Sequence, residues 1–153
     1  MTTNIVPLTL EQRAAHRAAR YVVRQPKALP LQVYSHSSEL ASLLRKRNAT
    51  HAALMTAHNP RGKRVTPAKN AKAHAALGAR LQALGYATMP GCREALDGGQ
   101  AEEGYLVFNI NAGPLEVVMD EFEQEVALWC QASGEPVLML HPQARRTLTA
   151  ADL

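Results

Sequence analysis

The chain has 153 residues, 46% of them hydrophobic but only 5% aromatic, and a formal charge of +4. That length suits one domain with a core built from Leu, Val, Ala and Met. No apolar run reaches the ~18 residues a membrane span requires, and the first residues lack the basic-then-apolar layout of a signal peptide. Two cysteines, Cys92 and Cys130, are too few for a disulfide framework or a four-thiolate zinc site. A cytoplasmic protein with reduced thiols is the expectation. Charge is unevenly spread. Residues 1–80 hold fourteen Lys/Arg against two acids, and residues 81–153 hold three against eleven. Either the two parts neutralise each other on folding, or one face of the molecule attracts anions.

Along the chain, residues 1–28 read as an N-terminal helix and linker, 29–141 as an α/β core, and 142–153 as a polar tail. Thr9-Leu-Glu-Gln12 has the form of a capping box. Leu10, Ala14, Ala18 and Val22 fit one face of the helix it opens. Arg13, Arg17, Arg20 and Arg24 fit another, a stripe that could lie along nucleic-acid phosphates or simply be solvated. Gln25–Pro30 is a linker, and Leu31–Tyr34 a short strand. Ser37 or Ser38 caps a helix with Leu40, Leu43 and Leu44 as its apolar stripe. Ala52–Ala57 is a continuous apolar run and reads as a buried central strand.

His58-Asn-Pro-Arg-Gly-Lys-Arg64 follows as a loop. Thr66-Pro67 is a strong helix start, and Gly85 a strong stop. Tyr86–Pro90 reads as a strand, Gly91–Glu103 with Gly98-Gly99 as a surface loop, and Tyr105–Ile110 as another strand. Gly113-Pro114 opens a helix to about Phe122. The stretch 125–140 is ambiguous. Helical spacing from Leu115 to Trp129 permits one long helix, whereas Glu125–Cys130 and Pro136–Leu140 around Ser133-Gly134 permit a β-hairpin.

Met55-Thr-Ala-His-Asn-Pro60 resembles the "TAWNP" signature of a bacterial family known as domain of unknown function 3293. Asn70 falls on that family's "EN" motif. Leu81–Tyr86 with Met89-Pro-Gly91 resembles its "LRARGY…LPG" stretch, Glu102–Phe108 its "PEESLLVLGI", and Phe122–Trp129 its "FGQNAIVW". The ordered set runs from about residue 20 to residue 140. The chain departs from the pattern at His58, Lys69, Gly104, Asn109 and Glu123. Asn109 and Glu123 stand where the family pattern has glycine. The resemblance favours the hairpin at 125–140 and implies no established activity.

The fold expected is a mixed sheet of five or six strands with helices packed on it and a C-terminal β-hairpin. Arg61, Lys63 and Arg64 precede a capped helix start, a combination suited to an anion at the amides of residues 67–69. Asn70, His74, Leu77, Leu81 and Leu84 share one helix face. The leucines must face the sheet, so Asn70 and His74 should point inward, toward Asn59 at the end of the central strand. Ligands commonly bind at the carboxyl ends of strands in α/β sheets.

The candidate binding residues are therefore Asn59, Arg61, Lys63, Thr66, Asn70 and Gln124, with His74 and Glu103 as candidates for proton exchange. The placement of Glu103 and Gln124 rests on the resemblance. The same residues could instead form a polar network that ties loop to helix. No histidine pair has zinc-hydrolase spacing, no nucleophile elbow is present, and neither a metal nor a cofactor is indicated. Two functions are open: a site for a small anionic or phosphate-bearing ligand near residues 58–74, or an interaction or nucleic-acid-binding module using the N-terminal helix and residues 61–64. The first predicts a concave pocket near Asn59 and Thr66, and the second a continuous positive surface from Arg13–Arg24 to Arg61–Arg64.

Overall fold

The computed structural model describes residues 4–24, 27–95 and 99–147. Gln25 and Pro26 of the expected linker, Gly98 of the expected loop and residues 148–153 of the expected tail lie outside them.

The described residues form four α-helices and seven strands. They are α1 (Leu10–Ala18), β1 (Arg20–Val23), β2 (Leu29–Gln32), α2 (Ser38–Lys46), β3 (His51–Thr56), α3 (Pro67–Ala83), β4 (Thr88–Arg93), β5 (Glu102–Phe108), α4 (Ala112–Glu121), β6 (Val126–Gln131) and β7 (Pro136–Leu140). The strands form one sheet in the order β2-β1-β4-β5-β3-β6-β7. Every neighbouring pair is antiparallel.

This corrects the expectation of a mixed sheet of five or six strands. The seventh strand is β1, where helical spacing predicts the end of the N-terminal helix. α1 stops at Ala18, because Ala19 is extended and Tyr21-Val22-Val23 prefers a pleated, half-buried surface. The arginine stripe is broken accordingly: Arg13 and Arg17 are helical, Arg20 begins β1, and Arg24 follows it. Gly91–Glu103 is likewise not all loop. Both ends continue the β4–β5 ladder through the pairs Gly91–Gly104, Cys92–Glu103 and Arg93–Glu102. With no parallel strands among the described residues, the rule that ligands gather at strand carboxyl ends does not apply here.

The core lies on both faces of the sheet. On one face α2 brings Leu40 and Leu44 onto Tyr21, Leu31, Leu54, Leu106 and Leu128. On the other, α3 and α4 bring Leu77, Leu81, Leu115, Val118 and Met119 onto Met55, Val107 and Ala127. The apolar run of β3 is thereby explained, since alternate residues feed each face. The thiols of Cys92 and Cys130 are free and buried, and burial pushes Cys130 up to about 12. Among the described residues, no helix is long and apolar enough to cross a membrane.

The hairpin at 126–140 forms, with its turn at Gly134. The turn also joins the two ends of the sheet. Tyr34 and Ser37, just beyond edge strand β2, donate their amides to the carbonyls of Pro136 (2.7 Å) and Gly134 (2.8 Å). Gly134 has φ +91°, and a Cβ there would strike the Ser37 carbonyl oxygen. Gly134→Ala is expected to lower stability by more than about 1 kcal/mol, read from urea unfolding.

The charge asymmetry of the sequence is partly cancelled in space. Arg20–Glu94 (3.6 Å), Arg24–Glu103 (2.6 Å), Arg61–Glu123 (2.9 Å) and Arg80–Glu121 (2.9 Å) each join the basic part of the chain to the acidic part. All four are partly exposed, so solvent screens each pair and none is a large contributor to stability.

Candidate functional site

A cleft of about 270 Å³ opens between α1 and the end of the sheet on the α2 side. α1 buries none of its residues, and its Gln12, Ala15 and His16 form one wall. The floor comes from Tyr21 of β1, Leu54 and Thr56 of β3, Arg93 of β4 and Glu102 of β5. Asn59, Arg61 and Gly62 form one rim, and Gln124 and Glu125 another.

Strand register explains the floor. Tyr21 is paired with Arg93, and Arg93 with Glu102, so three polar side chains from adjacent strands stand on one face. Tyr21 is only 2% exposed, and its hydroxyl stands beside the Arg93 guanidinium without a hydrogen bond of good geometry. Arg93 Nε is also buried without a partner. The remaining guanidinium contacts are long, 3.4 Å from Nη2 to His16 Nδ1 and 3.8 Å from Nη1 to Glu102 Oε2. Buried donors are ordinarily satisfied, so unmatched ones facing a cleft stand out.

Burial raises the Glu102 carboxyl above its ordinary range, against the opposing pull of Arg93 and a hydrogen bond from Asn59. Burial raises Glu125 too, again opposed by Arg93. His16 is lowered to about 4, by burial first and by the positive charge of Arg93 second. The unfolded chain therefore binds a proton at His16 before the folded chain does. On this account stability is complete above about pH 6.5 and falls as pH drops toward 4. The two raised carboxyls act in the opposite sense, adding stability at low pH that is lost as pH rises through their folded values. Comparing His16→Gln with the parent by urea unfolding from pH 7 to pH 4 isolates the histidine. The variant is expected to lose less stability over that range.

The expected site residues fall into three groups. Asn59, Arg61 and Gln124 border the cleft. Asn59 has φ +48°, and its amide donates to Asn70 Oδ1 (2.8 Å). Its own Oδ1 accepts from Val65 N (3.2 Å) and Asn70 Nδ2 (3.1 Å), and its Nδ2 donates to Glu102 Oε2 (3.4 Å). Asn70 points inward as expected and holds Asn59 in place. Gln124 is buried; it accepts from Thr56 Oγ1 (3.2 Å) and donates to the carbonyls of His58 (3.1 Å) and Phe122 (3.0 Å). Arg61 is turned to Glu123, through its amide and its guanidinium.

Thr66 and Lys63 do not border the cleft. Thr66 caps α3 by accepting from Lys69 N (3.2 Å), and Lys63 is exposed. Of the three residues expected to cradle an anion, Pro67 has no amide hydrogen and Lys69 donates its own to Thr66.

His74 and Glu103 stand on the α3 side of the sheet. The His74 ring stacks on Tyr105 (4.6 Å, 2°) and meets His58 edge-on at 6.1 Å. Glu103 is bidentate to Arg24, at 2.7 and 2.6 Å. Tyr21, Arg93, His16 and Glu125 were not anticipated. The signal for Tyr21 was the β-branched pair that follows it; Glu125, at the head of an apolar strand, gave none.

Residues 55–126 match the family described as "Protein of unknown function (DUF3293)". The resemblance read from the sequence is thereby shown for that segment. It contains Asn59, Asn70, Arg93, Glu102, Gln124 and Glu125, while His16 and Tyr21 lie before it. Neither the curated proteins nor the solved structures gave a match.

Proposed function

For a chain whose central segment is shared with a family of unknown function, we propose a small-molecule-binding domain. Its ligand occupies the cleft under α1 and presents an anionic oxygen to Arg93 and Tyr21. The observation that carries this is Arg93 Nε, a buried donor without a partner, beside the buried Tyr21 hydroxyl at the floor of one cleft. A guanidinium and a phenol together suit a carboxylate or a phosphate. At about 270 Å³ the cleft lies near the small end of the ~300–1,000 Å³ of ordinary ligand sites. The anion expected near residues 61–69 is thus relocated to the strand floor, where more donors converge.

Two buried free thiols support a reducing compartment such as the cytoplasm. The nucleic-acid alternative loses its geometric basis, because the arginine stripe is split between helix and strand, and Arg24 and Arg61 are engaged by glutamates. The test is a thermal-shift screen of small carboxylates and phosphates, followed by titration calorimetry on Arg93→Met and Tyr21→Phe. Hydrogen bonds to charged groups contribute about 1.5–3 kcal/mol, so Arg93→Met is expected to weaken binding roughly tenfold or more. Unchanged affinity in both variants would remove the reading.

A further inference from the structure

We infer that the ligand of this cleft is amphoteric, carrying an anionic oxygen for Arg93 and Tyr21 and, a few atoms away, a protonated nitrogen for Glu102 and Glu125. This rests on the proposed binding role and specifies its chemistry.

The argument begins with the charges that face the cleft. Arg93 supplies one positive charge, and Glu102 and Glu125 supply two negative ones. Arg61 also borders it, but is cancelled by Glu123 at 2.9 Å. His16 and His58 are both held below the ordinary histidine range, mainly by burial, and so are neutral at pH 7. The formal sum is −1. A simple anion approaching Arg93 meets two carboxylates on the way, and a simple cation approaching the carboxylates meets Arg93. A ligand with both charges places each against its opposite, and leaves no charge of its own unpaired in a partly dry site.

The state of the carboxylates agrees. Glu102 Oε2 has only a 3.4 Å contact from Asn59 and a 3.8 Å contact from Arg93. No hydrogen bond to the Glu125 carboxylate forms among the described residues, and its Oε1 lies over Gly62, where a Cβ would fall 2.7 Å away. The glycine leaves space for that carboxylate at the rim. Both carboxyls are raised by burial that Arg93 only partly offsets, and an incoming ammonium is the group that would offset it further.

The experiment compares matched probes by titration calorimetry on the full chain at pH 7.5 and low salt. One series is acetate, methylamine and glycine; the other is methyl phosphate, ethylamine and phosphoethanolamine. The amphoteric member of at least one series is expected to bind tenfold or more tightly than either monopolar counterpart. Glu125→Gln should erase most of that preference while leaving the anion's own affinity equal or improved. Glu102→Gln should act alike, and the rim position of Glu125 makes its variant the safer one for folding. An anion that binds in an Arg93-dependent manner, as tightly as its amphoteric partner, would overturn this inference and leave the binding role standing. Binding by no probe would count against both.

Discussion

Replacing Gly104 by valine is expected to lower stability by at least about 3 kcal/mol, with a urea midpoint well below that of the parent. Gly104 lies in β5, opposite Thr56 of β3 and Gly91 of β4. A Cβ there would overlap the carbonyl oxygen of Met55 and lie 2.9 Å from both its carbon and Thr56 Cγ2. The constraint is space, and two of the three atoms belong to backbone. They cannot retreat unless the β3–β5 ladder opens. Overpacking typically costs ~1–3 kcal/mol, and a collision with sheet backbone belongs at or beyond the top of that range. The displaced residues, Met55 and Thr56, line the cleft, so any folded fraction should also bind its ligand poorly. A midpoint unchanged within error would show that the strands separate here at little cost.

Asn59→Ala is expected to be nearly as severe, about 2–4 kcal/mol by the same measurement. The substitution removes bonds to Val65, Asn70 and Glu102, at about 0.5–1.5 kcal/mol each, and leaves donors without acceptors. It also places alanine at φ +48°, which adds about 1 kcal/mol or more. Asn59→Gly separates the two causes, since glycine adopts that φ freely. Asn70→Ala should cost less, about 1–2 kcal/mol, because the Val65 and Glu102 contacts survive. The double variant should lose less than the sum, as the two residues share their bonds. A melting temperature kept by both single variants, with ligand binding lost, would instead make these amides ligand contacts.

Most elements could be read from local signals. The capping box at Thr9, Thr66-Pro67 before α3 and the apolar run of β3 each state their structure within a few residues. The inward direction of Asn70 followed from helical spacing. What local reading missed was a boundary and a pairing. Ala14, Ala15 and Ala18 favour helix strongly enough to carry a periodic reading past Ala18 into Tyr21. The competing preference of Tyr21-Val22-Val23 prevails only because β4 is there to pair with it. Tyr21, Arg93 and Glu102 become neighbours through strand register alone, which no single segment encodes.

The resemblance held more than it first revealed. Asn109 and Glu123, which stand where the family pattern has glycine, have φ +61° and +51°. Glycine at those places signals a left-handed turn, and this chain keeps the turn by other means. Asn109 Oδ1 accepts from Thr50 N (3.0 Å), and Glu123 gains Arg61.

The strand order has a consequence for how quickly the chain reaches this state. β3 pairs only with β5 and β6, and β1 reaches across to β4, so Val22 must find Cys92 and Leu54 must find Leu128. Among the described residues, only β1–β2, β4–β5 and β6–β7 are local hairpins. Such contact order places loop closure before most of the reward, and folding should fall toward the slow, millisecond-to-second end of single-domain rates. On a ribosome β3 would emerge long before either neighbour exists. Its apolar faces would be covered until then by α2 on one side and, soon after, α3 on the other.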